Sequence, residues 1–194
     1  MADAQQRAKT VEEFLQWNLS KDERYELVDG RPVPLRAMAG AKAQHDVIVV
    51  NLIVIRGNQL RGSGGKSRTA DTAARIKSKN VRQPDVTIEC APAERDSLVA
   101  RNPTALYEVL SPTTRKLDRS VKLEEYRRHP SPRVIVHFDP EEVDVVVYTR
   151  NATGGGDDAR LELPEDVVGV GETPVALRLS KIYDGVPLTH AINS

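Results

Sequence analysis

Apolar residues change their spacing several times along this chain, and each change marks an element. Val11, Phe14, Leu15 and Leu19 recur at helical intervals, with Trp17 on the same turns. Thr10-Val-Glu-Glu13 precedes them as a capping box, in which Glu13 reaches back to the Thr10 backbone. A short amphipathic helix ending near Ser20 is expected. From Glu23 to Leu35 the pattern becomes strand-like, with Tyr25, Leu27 and Val33 as strand formers around an Asp29-Gly30 turn, so a hairpin follows. Glu26 alternates with Tyr25 and Leu27 and points away from them. Gly40 to Gly62 is ambiguous. Val47-Ile-Val-Val and Leu52-Ile-Val-Ile are β-branched runs that favour strand. Its length, its bounding glycines and the spacing of Ala41, His45, Ile48, Leu52 and Ile55 favour a buried helix, which is the reading adopted.

Beyond a Ser63-Gly-Gly65 loop, Ser67 to Lys77 reads as one strand and Val81 to Cys90 as the place of a second, Asp85-Val-Thr-Ile-Glu-Cys. A polar connection runs from Ala91 to Pro103. Thr104 to Leu110 is a third strand, and Leu117 to His129 a helix for which Asp118 is a candidate N-cap. Arg133 to Phe138 and Val143 to Arg150 make a hairpin across Asp139-Pro-Glu-Glu142. Asn151 to Asp158 reads as a Gly-rich turn, Leu161 to Leu163 and Val175 to Leu179 as short strands, and Lys181 to Pro187 as a terminal turn. No internal repeat is visible. The mixed order predicts an α/β (α+β) fold with a mixed sheet flanked by helices. The 194 residues suit one domain, with an N-terminal helix and hairpin over 1–39, a core over 40–150 and C-terminal strands and turn over 151–194.

Composition narrows the class without choosing the function. Hydrophobic residues are 39%, charged residues 29% and aromatics only 4%, so Val, Leu, Ile and Ala must build the core. The polar N-terminus does not resemble a signal peptide, and no apolar run is long enough to span a bilayer, so no membrane role is expected. Cys90 is the only cysteine, which excludes an intrachain disulfide and fits a cytoplasmic protein. Net charge is zero, but its distribution is uneven. Arg61 to Arg82 carries seven Lys/Arg against one acid, and Ser111 to Arg133 seven against three. Phe138 to Glu172 carries ten acids against two arginines. That separation suits either a basic face for a polyanion or a surface whose charges mix in three dimensions.

The chemistry centres on two carboxylates. Pro84 cannot donate to a β-ladder and suits the first position of a strand, which puts Asp85 at a strand mouth. Alternation places Asp85, Thr87 and Glu89 on one face. Glu108 lies inside the apolar run Leu106 to Leu110, where a carboxylate is costly to bury unless paired or bound to metal. If their strands are neighbours, the two acids can share Mg²⁺ (or Mn²⁺), a hard cation that retains waters and needs few protein ligands. Asp118, Arg119, Lys122 and Tyr126 fall on adjacent helical turns. The Lys122 ammonium then has two readings: stabilising charge beside those acids, or pairing with Glu125 or Asp118 on a wet helix. The strand acids favour the first.

Other motifs carry less. Gly64-Gly-Lys-Ser67 lacks the first glycine of a P-loop, where Leu60 stands. His45, His129, His137 and His190 lack zinc-ligand spacing, His137 reads as a satisfied structural histidine, and Cys90 as a small core residue.

Together, Pro84-Asp85, Glu108-Val-Leu-Ser-Pro-Thr-Thr114, Asp118-Arg119, Lys122-Leu123 and Tyr126 resemble the Uma family of proposed restriction endonucleases, within the PD-(D/E)XK nuclease-like superfamily. The resemblance extends to Tyr25-Glu-Leu-Val-Asp-Gly30, to His45 with Asn51-Leu52, to Asp139-Pro140 and to Ile182-Tyr-Asp-Gly-Val-Pro187, so it covers nearly the whole chain. It implies a restriction-endonuclease-like core, with Asp85 and Glu108 as metal ligands, Glu26 as an auxiliary acid and His45 near the site. The usual superfamily lysine, two residues after Glu108, is Leu110 here, and Lys122 is its natural substitute. Val136 stands where the family tends to carry an aromatic residue.

The expectation is a Mg²⁺-dependent endonuclease acting on DNA, with catalytic Asp85, Glu108, Lys122 and Glu26 and auxiliary His45, Asp118 and Tyr126. Lys66, Arg68, Arg115, Lys116 and Arg119 are candidate contacts to the nucleic-acid backbone. Cutting both strands calls for two sites, so a homodimer is also expected. The alternative is a nuclease fold without catalysis, acting as a nucleic-acid or protein binding module.

Overall fold

The capping box forms as expected. Thr10 Oγ1 accepts from Glu13 N at 3.1 Å, and Thr10 N donates to the Glu13 carboxylate at 2.8 Å, opening α1 (Val11–Asn18). The structure is a computed structural model and describes residues 7–35, 43–90, 97–111, 115, 118–151, 153–170 and 173–188. Strands β1 (Tyr25–Val28) and β2 (Arg31–Pro34) pair antiparallel. Both turn residues between them have positive φ, 48° at Asp29 and 80° at Gly30, the backbone a tight hairpin turn requires. The ambiguous segment is helix α2 (Ala43–Gln59). Ile48 and Leu52, one turn apart, are fully buried, and tertiary packing outweighs the weak helix preference of the β-branched residues.

One expected strand divides. Ser67 to Lys77 is not one strand but β3 (Lys66–Thr69) and β4 (Ala73–Lys77), separated by a turn in which Thr72 N donates to Thr69 O. The other, Asp85 to Cys90, is preceded by a strand that was not expected, β5 (Asn80–Arg82), and forms as β6 (Val86–Glu89). In both places the two strands belong to different sheets. Pro84 therefore stands in the crossing between sheets rather than at a strand's first position. A short strand β7 (Val99–Ala100) follows, within the expected connection, and then β8 (Pro103–Val109). The expected helix from Leu117 begins, among the described residues, as one wide π turn (Asp118–Lys122) and continues as α3 (Leu123–Arg128). Asp118 is not an N-cap, because its carboxylate turns inward to Lys122 Nζ at 3.0 Å. Pro112-Thr113-Thr114 and Lys116 fall outside the described residues.

Strands β9 (Val134–Phe138) and β10 (Val145–Arg150) form the expected hairpin. The Gly-rich turn is shorter than expected, because Gly156–Leu161 pairs along β10 as strand β11. β12 (Val167–Val170) and β13 (Thr173–Arg178) make a separate hairpin, and α4 (Leu179–Ile182) closes the described elements.

A six-stranded sheet runs β11-β10-β9-β8-β6-β3, with only β8 and β9 parallel. A five-stranded sheet runs β2-β1-β5-β4-β7, with only β4 and β7 parallel. Strand alternation gives the larger sheet two different faces. Ala105, Tyr107, Val109, Val134, Val136 and Phe138 face α2 and α4 in the main core. Leu106 and Ile135 face the other way, toward Ala74 and Ile76 of β4 and Leu123 and Tyr126 of α3. Glu108 and His137 share that second face. It is the face on which the candidate site lies. No helix among the described residues is long and apolar enough to cross a membrane.

Candidate active site

Strand register brings the two expected acids together. Val86 pairs with Tyr107, so Asp85 lies opposite Glu108, and Asp85 Oδ2 accepts from Val109 N at 2.8 Å. Glu26 comes from the other sheet. Gln83 N donates to its Oε1 at 3.0 Å and Arg82 to its Oε2 at 2.8 Å. Lys122 joins the groups. Its Nζ lies 3.0 Å from Asp118 Oδ1, 3.5 Å from Glu108 Oε1 and 3.6 Å from Glu26 Oε1. Tyr126 donates to Glu108 Oε1 at 2.6 Å. All of these side chains except Asp85 are buried; Asp85 is 12% exposed. His45, on the first turns of α2, sets Nε2 3.4 Å from Asp85 Oδ1 and Nδ1 3.6 Å from Asp46.

Burial and neighbouring charge set the protonation preferences. Desolvation pushes the Glu108 carboxyl up to about 8, helped by Asp118 and Asp85 and opposed by Lys122 and the Tyr126 hydroxyl. For Lys122, burial works against the ammonium, but Glu108, Glu26 and Asp118 outweigh it and raise its pKa. For Glu26, burial is likewise the largest single influence and is overcome by Lys122 and Arg82, which lower the pKa. Burial opposes a charged His45 too, yet Asp85 and Asp46 raise its pKa overall. The Tyr126 hydroxyl is driven far above its ordinary range by burial and by Glu108. A cation is thus already balancing the acids, and Glu108 is the acid least able to hold a negative charge unaided.

A family described as "Putative restriction endonuclease" (Uma2) matches residues 11–179, which include every one of these side chains. The chain belongs to the Uma2 family. An uncharacterized protein of Synechocystis sp. is 32% identical over 145 residues, covering 74% of this chain and 75% of the relative. The fold matches the crystal structure of a "putative nuclease belonging to DUF820" from Anabaena variabilis, with a TM-score of 0.70 and 15% identity over 90% of this chain and 97% of that one. That likeness shows a restriction-endonuclease-like fold.

The Uma2 sheet also places residues whose role the sequence did not disclose. Arg82 joins Glu26 to Glu125, donating to Glu125 at 2.7 and 2.8 Å, while Asn80 Nδ2 donates to the same carboxylate at 3.1 Å. Of the two partners that the wet-helix reading offered Lys122, Asp118 does pair with it, though buried rather than wet, while Glu125 pairs with Arg82 instead. The spacing of Lys122 and Glu125 carried no hint of this, because the partner comes from another sheet. His137 pairs in register with Glu108 on the parallel neighbour β9. It is 1% exposed, neither ring nitrogen has a hydrogen-bond partner, and the ring stands edge-on to Tyr148. It is not the satisfied histidine expected. Burial, then Arg119 and Lys122, depress its pKa to about 4, so the imidazole is neutral.

The basic candidates do not converge on the acids. Arg68 pairs with Glu89 at 3.1 Å, Arg115 with Asp139 at 2.7 Å and Arg119 with Asp144 at 3.5 Å. Lys66 lies at the far end of β3 from the Asp85 end of the sheet, opposite Glu89. Lys116 is outside the described residues. Cys90 is exposed rather than a core residue. Asp139, Glu142 and Asp144 form a separate acidic group with ligand atoms within 4.8 Å of one another, but arginines already occupy Asp139 and Asp144.

Proposed function

We propose that the protein is a metal-dependent endonuclease that hydrolyses DNA phosphodiester bonds. The observation that carries this reading is the meeting of Asp85, just before β6, with Glu108 of β8 and Lys122 of the π turn. The donor set fits a hard divalent cation. Both acids offer carboxylate oxygens, and burial leaves Glu108 in need of positive charge. Asp85 and Glu108 would hold Mg²⁺ or Mn²⁺, which when bound lowers the pKa of a coordinated water and neutralises phosphate charge.

The chain's own groups supply the rest. The Val109 amide and His45 orient Asp85 from two sides. Tyr126 fixes one oxygen of Glu108 and leaves the other for coordination. Lys122 holds its ammonium beside Glu108, where it orients the attacking water or stabilises developing charge on phosphate. Glu26 and Asp118 keep that ammonium in place and charged. Arg82 locks Glu26. Purified protein should nick or linearise supercoiled DNA in Mg²⁺ or Mn²⁺. Asp85→Ala and Glu108→Ala should abolish cleavage while circular dichroism stays native, and equal cleavage by either variant would sink the assignment.

One observation favours a second reading, a binding module without catalysis. Lys122 already compensates three acids, and it reaches them from a helix rather than from the strand position held by Leu110. Under this reading DNA binding weakens steeply with salt, and neither Mg²⁺ nor Mn²⁺ elicits cleavage.

A further inference from the structure

α2 is apolar on nearly every side, with Val or Ile at 47, 48, 49, 50, 53, 54 and 55 and Leu at 52. A helix of that kind is normally covered all round. This fold covers only part of it. Ile48 and Leu52 enter the main core, Val49, Ile53 and Ile55 pack partly against it, and Asn51 and Gln59 donate to backbone carbonyls of Ile182, Asp184 and Ala176. On the outer side Val50 and Val54 remain 58% and 54% exposed, the only such apolar pair one helical turn apart among the described residues. Gly57 continues the stripe as a flat step: a Cβ built there meets nothing within 4 Å.

The ends of the stripe carry opposite charges. Asp46 is 73% exposed, and Arg61, in the turn after the helix, is exposed with no ion pair among the described residues. At 3.6 residues per turn Asp46, Val50, Ile53, Val54, Gly57 and Arg61 fall within an arc of about 100°. The order is self-complementary. Reversed about a point between Ile53 and Val54, Asp46 exchanges with Arg61, Val50 with Gly57, and Ile53 with Val54.

We propose that this face of α2 is the interface of a symmetric homodimer, a second copy of this chain lying antiparallel across it. A two-fold axis sets each Asp46 against the partner's Arg61 and each Val50 over the partner's Gly57, where the missing side chain lets the helices approach. The two copies of His45 then stand about 25 Å apart along the helix direction, at 1.5 Å per residue.

Light scattering on the purified chain should give twice its 21.4 kDa mass. Asp46→Arg and Arg61→Asp should each weaken the dimer about tenfold or more, and the double exchange should restore it. In a Cys90→Ser background, Val54→Cys should cross-link to the dimer on mild oxidation. Val50→Lys with Val54→Lys should give a monomer with a native spectrum; if that variant misfolds, the two exposed charge reversals decide. A monomer at all concentrations, or a dimer indifferent to these changes, overturns the proposal. A monomeric wild type would leave the stripe to residues 189–194 or to another protein.

Discussion

The two faces of the six-stranded sheet are built from alternate residues of the same strands, yet they do opposite things. One face sets Tyr107, Val109, Val136 and Phe138 against α2 and α4. The other sets Glu108 and His137, one residue along, beneath Lys122 and Tyr126. The first face is stabilised by apolar burial, at roughly 25 cal/mol per Å². The second holds buried charges that attract one another but lose their hydration, so breaking one partner costs far more than the intact set contributes. A core made only for stability would not need it. The charged face is the one that carries the proposed site.

The largest test of that contrast is Lys122→Met. It leaves Glu26, Asp118 and Glu108 without their shared cation, and should lower stability in denaturant titration by about 3–5 kcal/mol. A volume-conserving Leu52→Met on the apolar face should cost less than about 1.5 kcal/mol. Equal losses would erase the distinction.

Acid comes next. His137 stays neutral in the fold down to about pH 4, against an ordinary value of 6.5. The unfolded chain therefore binds a proton first, and stability falls as pH drops from 6.5 toward 4, by roughly 3 kcal/mol at most. His137→Leu should flatten this acid limb of the stability–pH curve. An unchanged limb would mean that other groups govern it.

Smaller still is Tyr126→Phe, which removes the hydroxyl from Glu108 Oε1. Measured near pH 9, where Glu108 is ionised, loss of a hydrogen bond to a charged group predicts about 1.5–3 kcal/mol in thermal unfolding. Smallest is Thr10→Ala, at a cap remote from both faces, with a loss of about 1 kcal/mol and no effect on cleavage. A cleavage defect there would show that the faces are not independent.

Local features were legible in the sequence. The Thr10 capping box, the Asp29-Gly30 hairpin and the alternation that turns Glu26 away from Tyr25 and Leu27 depend on residues a few positions apart, and each formed. The choice of helix for Ala43–Gln59 also held, because the spacing of Ile48 and Leu52 outweighed β-branching. What stayed hidden depends on pairing over long distances. Nothing within Ser67 to Lys77 or Val81 to Cys90 says that its two halves join different sheets. That division is what carries Arg82, and Glu26 on the neighbouring β1, to the site. His137 looked like an ordinary strand residue until the parallel register with β8 set it beside Glu108. Gly156 to Asp158 reads as the end of a Gly-rich turn because it is small and polar, which an exposed edge strand such as β11 tolerates.

Calorimetry of Mn²⁺ binding across pH tests the central claim most directly. Glu108, with its pKa near 8, must release its proton to serve as a ligand. One ion should bind per chain, with affinity rising from pH 6 to pH 9 and close to one proton released at pH 7, as read from buffers of different ionisation enthalpy. Glu108→Gln should abolish both the binding and the proton release while the fold persists. Absence of binding to the wild type, or binding unchanged in Glu108→Gln, would contradict the assignment of Asp85 and Glu108 as a metal site.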